Sequence, residues 1–249
     1  MIKFLVSILV FVMNTLYGNK PYERFYVLET VARVPYFAYT SVLHLYETLG
    51  WWRKADWMKV HFAESWNELH HLLIMEALGG DKSWIDRTLA RTSALVYYWI
   101  LVAIYIIHPK AAYNFMQLVE QHAYHSYNKF LKENVEALKA QPAPAIAINY
   151  YRDGDLYLFD EFQTGQAAGT RRPPVDNLYD VFLAIRDDEM EHVKTMIACQ
   201  RSDAYQSFHS PHSPENSTLS ASNLEAINKA AELAVENMTE YSQEATTKS

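Results

Sequence analysis

The sequence predicts an all-α protein, a four-helix bundle with one or two additional membrane-contacting helices. Three observations predict it. Only 7 glycines occur in 249 residues, and few turn clusters precede residue 140; a many-stranded sheet would need a turn signal every 8–12 residues or so. Hydrophobic residues make up 50% and aromatics 14%, enough apolar surface for one large helical core. The residues suited to hold a metal, finally, recur at helical spacing on several of the long stretches.

Taken in order, the stretches read as follows. Residues 2–17, apolar with Lys3, predict a first helix. No A-x-A-like cleavage site follows at Gly18-Asn19-Lys20-Pro21, so the stretch reads as a retained amphipathic, membrane-contacting helix and not as a signal peptide. A second helix is expected from Pro21 to Leu49, closed by Gly50. A third runs from Lys54 to Leu78 and stops at Gly79-Gly80. Asp81 and Ser83 offer N-caps for a fourth that reaches Ile107. The fifth is expected from beyond Pro109 to about Lys139. Residues 141–175, punctuated by Pro142, Pro144, Gly154, Gly165, Gly169, Pro173 and Pro174, read as an inserted loop. Asp176 is the expected cap of a sixth helix through Gln200.

Residues 1–200 therefore form one expected domain, and 201–249 a mobile, non-catalytic tail with one helix at 223–238. Within the fourth helix Leu95–Ile107 carries no charge. Thirteen residues fall short of the roughly 20 that span a bilayer, while Lys82, Arg87, Arg91 and Lys110 flank the run together with Tyr and Trp. That composition suits a helix lying in the membrane interface.

The net charge of -7 and pI near 5.8 argue against a nucleic-acid partner. A single cysteine, Cys199, excludes an intrachain disulfide framework and a cysteine-held metal cluster. Any metal must sit on His, Asp and Glu. Of the 10 histidines, two have a Glu three positions earlier: Glu68/His71 and Glu189/His192. Residues i and i+3 leave a helix on nearly the same face, so each pair presents a carboxylate and an imidazole to one point. Glu29 and Glu120 stand alone in apolar surroundings on two other helices, where a charge is costly unless paired or metal-bound. The order Glu, ExxH, Glu, ExxH is that of the carboxylate-bridged dinuclear site in ferritin-like four-helix bundles. Iron is favoured because mixed carboxylate and imidazole ligation with open positions suits dioxygen chemistry; manganese stays open. Asn67 and Asp188, each preceding a ligand glutamate, are candidates for orienting the ligands. Tyr127 lies two turns beyond Glu120 on the same face and could deliver an electron and a proton.

At these residues the chain resembles the alternative oxidase family, and within it the plastid terminal oxidases. The resemblance rests on Leu28–Pro35, His61–Leu72, Val119–Tyr127 and Arg186–His192, and covers about residues 20–200. It implies two iron ions held by Glu29, Glu68, His71, Glu120, Glu189 and His192, a catalytic Tyr127, and Arg24 and Leu28 near a quinol pocket. It further implies quinol oxidation coupled to reduction of dioxygen to water without proton pumping, on one leaflet of a membrane, with a homodimer suggested. The Val-Glu-Gln-His-Ala form and the 141–175 insert resemble the plastid branch, favouring plastoquinol over ubiquinol and a thylakoid or plastid membrane over the mitochondrial inner membrane. No cysteine precedes Cys199, so control through an N-terminal thiol is not expected. Two other readings fit parts of the pattern: a soluble ferritin-like di-iron protein, and a non-enzymatic membrane scaffold whose ExxH pairs are ordinary helix-face residues.

Overall fold

The computed structural model describes residues 11, 13, 15–51, 54–153, 172–201 and 221–247. Most of the expected 2–17 helix, residues 154–171 of the insert and residues 202–220 lie outside that set. The described residues are mostly helical and contain no strand, apart from an isolated bridge between Pro142 and Asn177. The helices are α1 (Pro21–Ala32), α2 (Val34–Thr48), α3 (Ala55–Ala77), α4 (Trp84–Ile107), α5 (Pro109–Glu133), the short α6 (Val135–Lys139) and α7 (Ala145–Ile148), α8 (Leu178–Cys199) and α9 (Ala221–Thr247).

Three expectations are corrected. The single helix expected from Pro21 to Leu49 is two, breaking at Arg33. Pro35 falls in the first turn of α2, where its missing N–H costs nothing, but it cannot continue a helix begun upstream. The helix expected to reach Lys139 ends at Glu133, where the Asn134 side chain turns back to donate to the Phe130 carbonyl at 2.9 Å. The insert is not wholly a loop: Ala145–Asp153 forms α7 and a π turn that bury Tyr150 and Tyr151 completely. Two aromatic side chains there outweigh the turn-forming prolines around them.

The caps are close to expectation. Ser83 accepts from the Asp86 amide at the start of α4. The cap of α8 is Asn177, one residue past Asp176, in a reciprocal box with Asp180. Gly50 and Gly79 take the left-handed conformation that closes α2 and α3, with φ of 69° and 85°. At the end of α3 Gly79 N–H reaches Glu76 O and Gly80 N–H reaches Met75 O, both at 2.9 Å, the bond pattern of a Schellman cap. Gly80 also sits against α1: a Cβ there would lie 2.4 Å from Tyr22 O and 2.9 Å from Tyr26 Cβ. Gly80→Ala is therefore expected to lower stability by about 1–3 kcal/mol through overpacking, read as a lower urea midpoint.

The bundle pairs α1 with α3 and α5 with α8, and lays α2 and α4 alongside. Spacing decides which face turns inward. On α5 the buried residues Tyr113, Met116, Glu120, Ala123 and Tyr127 advance by three and four, the stripe a bundle helix presents to its neighbours. On α3 the same rhythm runs Trp57, His61, Glu64, Glu68, His71 and Met75. Apolar residues close both ends of the polar centre: Phe25, Phe182, Ile185 and Tyr127 on one side, and Tyr36, Tyr39, Trp57 and Met196 on the other. Phe25 and Phe182, both essentially fully buried, contribute about 1.5–3 kcal/mol each by leaving water.

Helix α4 is different. Only Ala90, Leu101 and Tyr105 of its 24 residues are buried, while Leu95, Val96, Trp99, Ile100, Ile106 and Ile107 are exposed. By length and composition it is long and apolar enough to cross a membrane, yet it packs along α1, α2 and α5. Its apolar face is consequently open on one side only. Past residue 220, α9 is longer than the helix read at 223–238 and packs on α5 and α8 through Ile227, Ala231 and Val235.

Candidate metal centre

All six residues singled out as metal ligands are completely buried, and the bundle brings them together. Glu29, in the last turn of α1, meets Glu68 and His71 of α3 and Glu189 of α8, with one ligand atom from each within 4.8 Å of all the others. Glu68, Glu120, Glu189 and His192 form a second such group. Glu68 and Glu189 belong to both. His71 Nδ1 lies 3.3 Å from Glu189 Oε1 and 3.6 Å from Glu29 Oε2. His192 Nδ1 lies 3.0 Å from Glu68 Oε1 and 3.5 Å from Glu189 Oε2.

The electrostatics of this cage are unfavourable as they stand. Burial, reinforced by neighbouring carboxylates, pushes Glu68 and Glu120 well above the ordinary carboxylate range and Glu189 up to about 7. Burial acts the same way on Glu29, but the His71 imidazole outweighs it and holds Glu29 low. Burial disfavours the charged form of His71, and the Asp188, Glu189 and Glu29 carboxylates reverse that. Glu29 Oε2, both oxygens of Glu68 and of Glu189, Glu120 Oε2 and His71 Nδ1 are buried without a bond of hydrogen-bond geometry. Leaving so many buried polar atoms unmet costs about as much as a bundle's whole net stability unless something else meets them. Two divalent cations would: four carboxylates carry four negative charges, and the convergent atoms are hard oxygen and imidazole nitrogen.

The surrounding shell fixes the cage. Asp188 Oδ2 meets His71 Nε2 at 3.1 Å, so that Nδ1 faces inward. The same oxygen accepts from Asn67 Nδ2 and from the Tyr151 hydroxyl, each at 2.8 Å, and Asn67 also donates to Tyr150 at 2.8 Å. Asn67 and Asp188 thus stand where the sequence analysis expects ligand-orienting groups. Tyr150 and Tyr151 do not figure there, because nothing in the insert's composition signals that two of its tyrosines turn inward. Asp188→Asn is expected to weaken divalent-cation affinity about 10- to 100-fold, measured by equilibrium dialysis with the fold unchanged by circular dichroism.

Tyr127 reaches the cage, though not on Glu120 of its own helix: its hydroxyl donates to Glu29 Oε1 across the bundle, with its ring stacked on Phe25 at 4.2 Å. Its counterpart is Tyr36, a residue not among those singled out from the sequence. The Tyr36 hydroxyl donates to Glu120 Oε1 at 2.5 Å, so each glutamate unique to one group has its own tyrosine. Tyr36 stands seven residues after Glu29, the same two-turn spacing that singles out Tyr127 after Glu120, so the signal is present in the sequence; each hydroxyl reaches across to the other's glutamate. Arg24 is half-buried, and its Nη2 donates to Ser126 Oγ at 3.4 Å, next to Tyr127. Leu28 is half-buried against the same apolar cluster. Ser126 Oγ also lies 3.3 Å from His122 Nε2.

Comparison with known proteins agrees with this geometry. A family model described as alternative oxidase matches residues 2–201. The chain is 60% identical over 210 residues to "Ubiquinol oxidase 4, chloroplastic/chromoplastic" of Arabidopsis thaliana, covering 84% of this chain and 59% of that protein. It is 33% identical over 170 residues to "Ubiquinol oxidase 2, mitochondrial" of Glycine max, covering 68% of this chain and 45% of that protein. To "Ubiquinol oxidase, mitochondrial" of Mangifera indica it is 32% identical over 170 residues, 68% of this chain and 47% of the relative. The chain thus spans less than two thirds of the length of each.

Proposed function

The chain belongs to the alternative oxidase family, and from that premise we propose that it is a non-haem di-iron quinol oxidase, taking electrons from a quinol and reducing dioxygen to water. The observation that carries this is the buried cage itself, six side chains from four helices with their inward atoms unmet. Glu29 and His71 would hold one iron, Glu120 and His192 the other, with Glu68 and Glu189 common to both. When bound, the iron pair supplies reversible one-electron chemistry and a binding point for dioxygen. The protein's own residues do the rest. Asp188 keeps His71 in the tautomer that offers Nδ1 inward. Tyr127 and Tyr36 each hold a proton against a ligand carboxylate, and Tyr127 is the proposed catalytic residue, donating a hydrogen equivalent through that contact. Phe25, Phe182 and the π turn exclude water from the site. Arg24 and Leu28, near Tyr127, are proposed to border the quinol head.

Plastoquinol is the proposed quinol, and a plastid membrane the proposed site. The support is the 60% identity to the chloroplastic relative against 33% and 32% to two mitochondrial ones. The exposed apolar side of α4 supports immersion in one leaflet, with quinol entering from the lipid and no protons pumped. Purified protein loaded with iron is expected to consume one dioxygen for every two short-chain plastoquinols; no iron above background, or no uptake, would overturn the proposal. Trp99→Lys with Ile100→Lys is expected to shift the protein from the pellet to the supernatant in sedimentation with plastid-lipid vesicles, since each charge placed in hydrocarbon costs about 2.5–3.5 kcal/mol. Wild-type protein left wholly soluble by carbonate would favour a soluble di-iron protein instead.

A further inference from the structure

Next to the cage, on the side away from Tyr127, lies a second buried polar system. His61 and Glu64 occupy the α3 stripe, two turns and one turn before Glu68 respectively, and both are completely buried. His61 Nδ1 lies 2.8 Å from Glu64 Oε2, His61 Nε2 lies 2.9 Å from the Tyr113 hydroxyl, and the Tyr113 hydroxyl lies 2.6 Å from that of Tyr105. Four groups are thus joined end to end with no solvent between them. Protons can be assigned along this chain in two directions. In one, Tyr105 donates to Tyr113, Tyr113 to His61 Nε2, and His61 Nδ1–H to the Glu64 carboxylate; in the other, with Glu64 protonated, Glu64 donates to His61 Nδ1, His61 Nε2–H to Tyr113 and Tyr113 to Tyr105. A proton that leaves Tyr113 can therefore pass to His61 and on to Glu64 along contacts that already exist.

The same residues are also linked by rings. Tyr36, whose hydroxyl meets Glu120, has its ring 5.2 Å from that of His192 and 6.3 Å, stacked, from that of His61. His61 and Tyr113 stack at 5.6 Å, Tyr39 and Tyr113 meet at 5.0 Å, and Tyr39 and Tyr105 stack at 4.6 Å. What separates Tyr113 from the other tyrosines is the partner of its hydroxyl. Tyr36 and Tyr127 donate to cage carboxylates, Tyr39 to the Ala112 carbonyl, and Tyr151 to Asp188, which Asn67 and His71 already engage. Tyr113 faces a nitrogen base backed by a carboxylate. A tyrosine gives up an electron readily only if its proton can leave at the same moment, because the oxidised phenol is a strong acid.

We propose that Tyr113, with His61 and Glu64 as its proton acceptors, is a redox sink that takes up an oxidising equivalent from the metal centre when quinol is not there to supply the electron. In that step the Tyr113 O–H bond breaks. Its electron passes through Tyr36 to the equivalent that dioxygen or hydrogen peroxide has left at the centre. Its proton bonds to His61 Nε2 while the His61 Nδ1 proton passes to Glu64 Oε2. The products are a neutral tyrosyl radical, a neutral imidazole in the other tautomer and a carboxylic acid; an electron from the next quinol restores the start. The ligands of the cage are thereby spared oxidation. The proposal rests on the di-iron reading above.

The test uses the full-length, iron-loaded protein, treated with hydrogen peroxide without quinol, frozen within the reaction time and examined by electron paramagnetic resonance. A tyrosyl signal is expected in the wild type, narrowed by ring-deuterated tyrosine, and retained in Tyr127→Phe. It is expected to be lost in Tyr113→Phe and in His61→Gln, which keeps a hydrogen-bonding group at Tyr113 but no base, both at wild-type iron content and helicity. Peptide mass spectrometry of those two variants is expected to find more oxidation at the cage residues. A signal that persists in either variant, or disappears in Tyr127→Phe, overturns the proposal. Wild-type protein that holds iron and oxidises quinol but gives no signal overturns this proposal alone; protein that holds no iron overturns the di-iron reading with it.

Discussion

Replacing Glu68 by alanine is expected to abolish iron binding and quinol-dependent oxygen uptake together. Glu68 is one of two carboxylates common to both ligand groups, and its Oε1 is the cage oxygen nearest His192 Nδ1 among the pairs described, at 3.0 Å. Without it, each iron position loses an anionic ligand and the pair loses a link. The apoprotein, by contrast, is expected to gain: Glu68 is pushed up by burial and by Glu189, Glu29 and Glu120, so its removal relieves a crowded site that is costly when empty. Metal analysis after gel filtration and thermal melts of the iron-free forms check both halves. Glu29→Ala, which belongs to one group only, is expected to retain more iron than Glu68→Ala. Equal iron in Glu68→Ala and wild type would overturn the shared-ligand assignment.

Tyr127→Phe is expected to lower the oxygen-uptake rate about 100-fold at unchanged iron content, the lower range for losing a positioned proton donor. The change keeps the stack on Phe25 and removes only the hydroxyl that donates to Glu29. Stability is expected to fall by about 1.5–3 kcal/mol, the range for a hydrogen bond to a charged group. Because the loss is in a proton-bearing contact and not in quinol binding, kcat is expected to fall with KM for quinol nearly constant; a rise in KM alone would move Tyr127 from catalysis to the quinol pocket. Tyr36→Phe makes the matching change on Glu120 and separates a general effect of uncapping a ligand carboxylate from one particular to Tyr127.

The six residues of the buried cage were legible in the sequence because helical geometry is local. Three-residue spacing aims Glu68 with His71 and Glu189 with His192 whatever the rest of the chain does, and Glu29 and Glu120 are conspicuous as lone charges in apolar stripes. The helix stops at Gly50 and Gly79 were legible for a similar reason, since the left-handed conformation they adopt is open to glycine at little cost. The breaks at Arg33 and Asn134 were harder. Pro35 marks the first, but a proline in a helix's opening turn and one inside a helix look alike until the direction of the chain is known.

The tertiary structure alone decided the contacts between helices. Tyr127 was expected on the face of Glu120, and it is, yet its hydroxyl crosses to Glu29 because α5 packs against α1 in the bundle. Tyr36 reaches Glu120 over 84 residues of sequence, Asp188 reaches Asn67 over 121, and Tyr150 and Tyr151 arrive from a proline-punctuated insert. No spacing rule joins positions so far apart; their meeting depends on helix crossing angles and side-chain volumes. Sequence by itself therefore determined which carboxylates and imidazoles can meet at one centre, through the period of the α-helix. The packing of one helix on another determined which of them touch, and so which tyrosine holds which carboxylate and which histidine is held by Asp188.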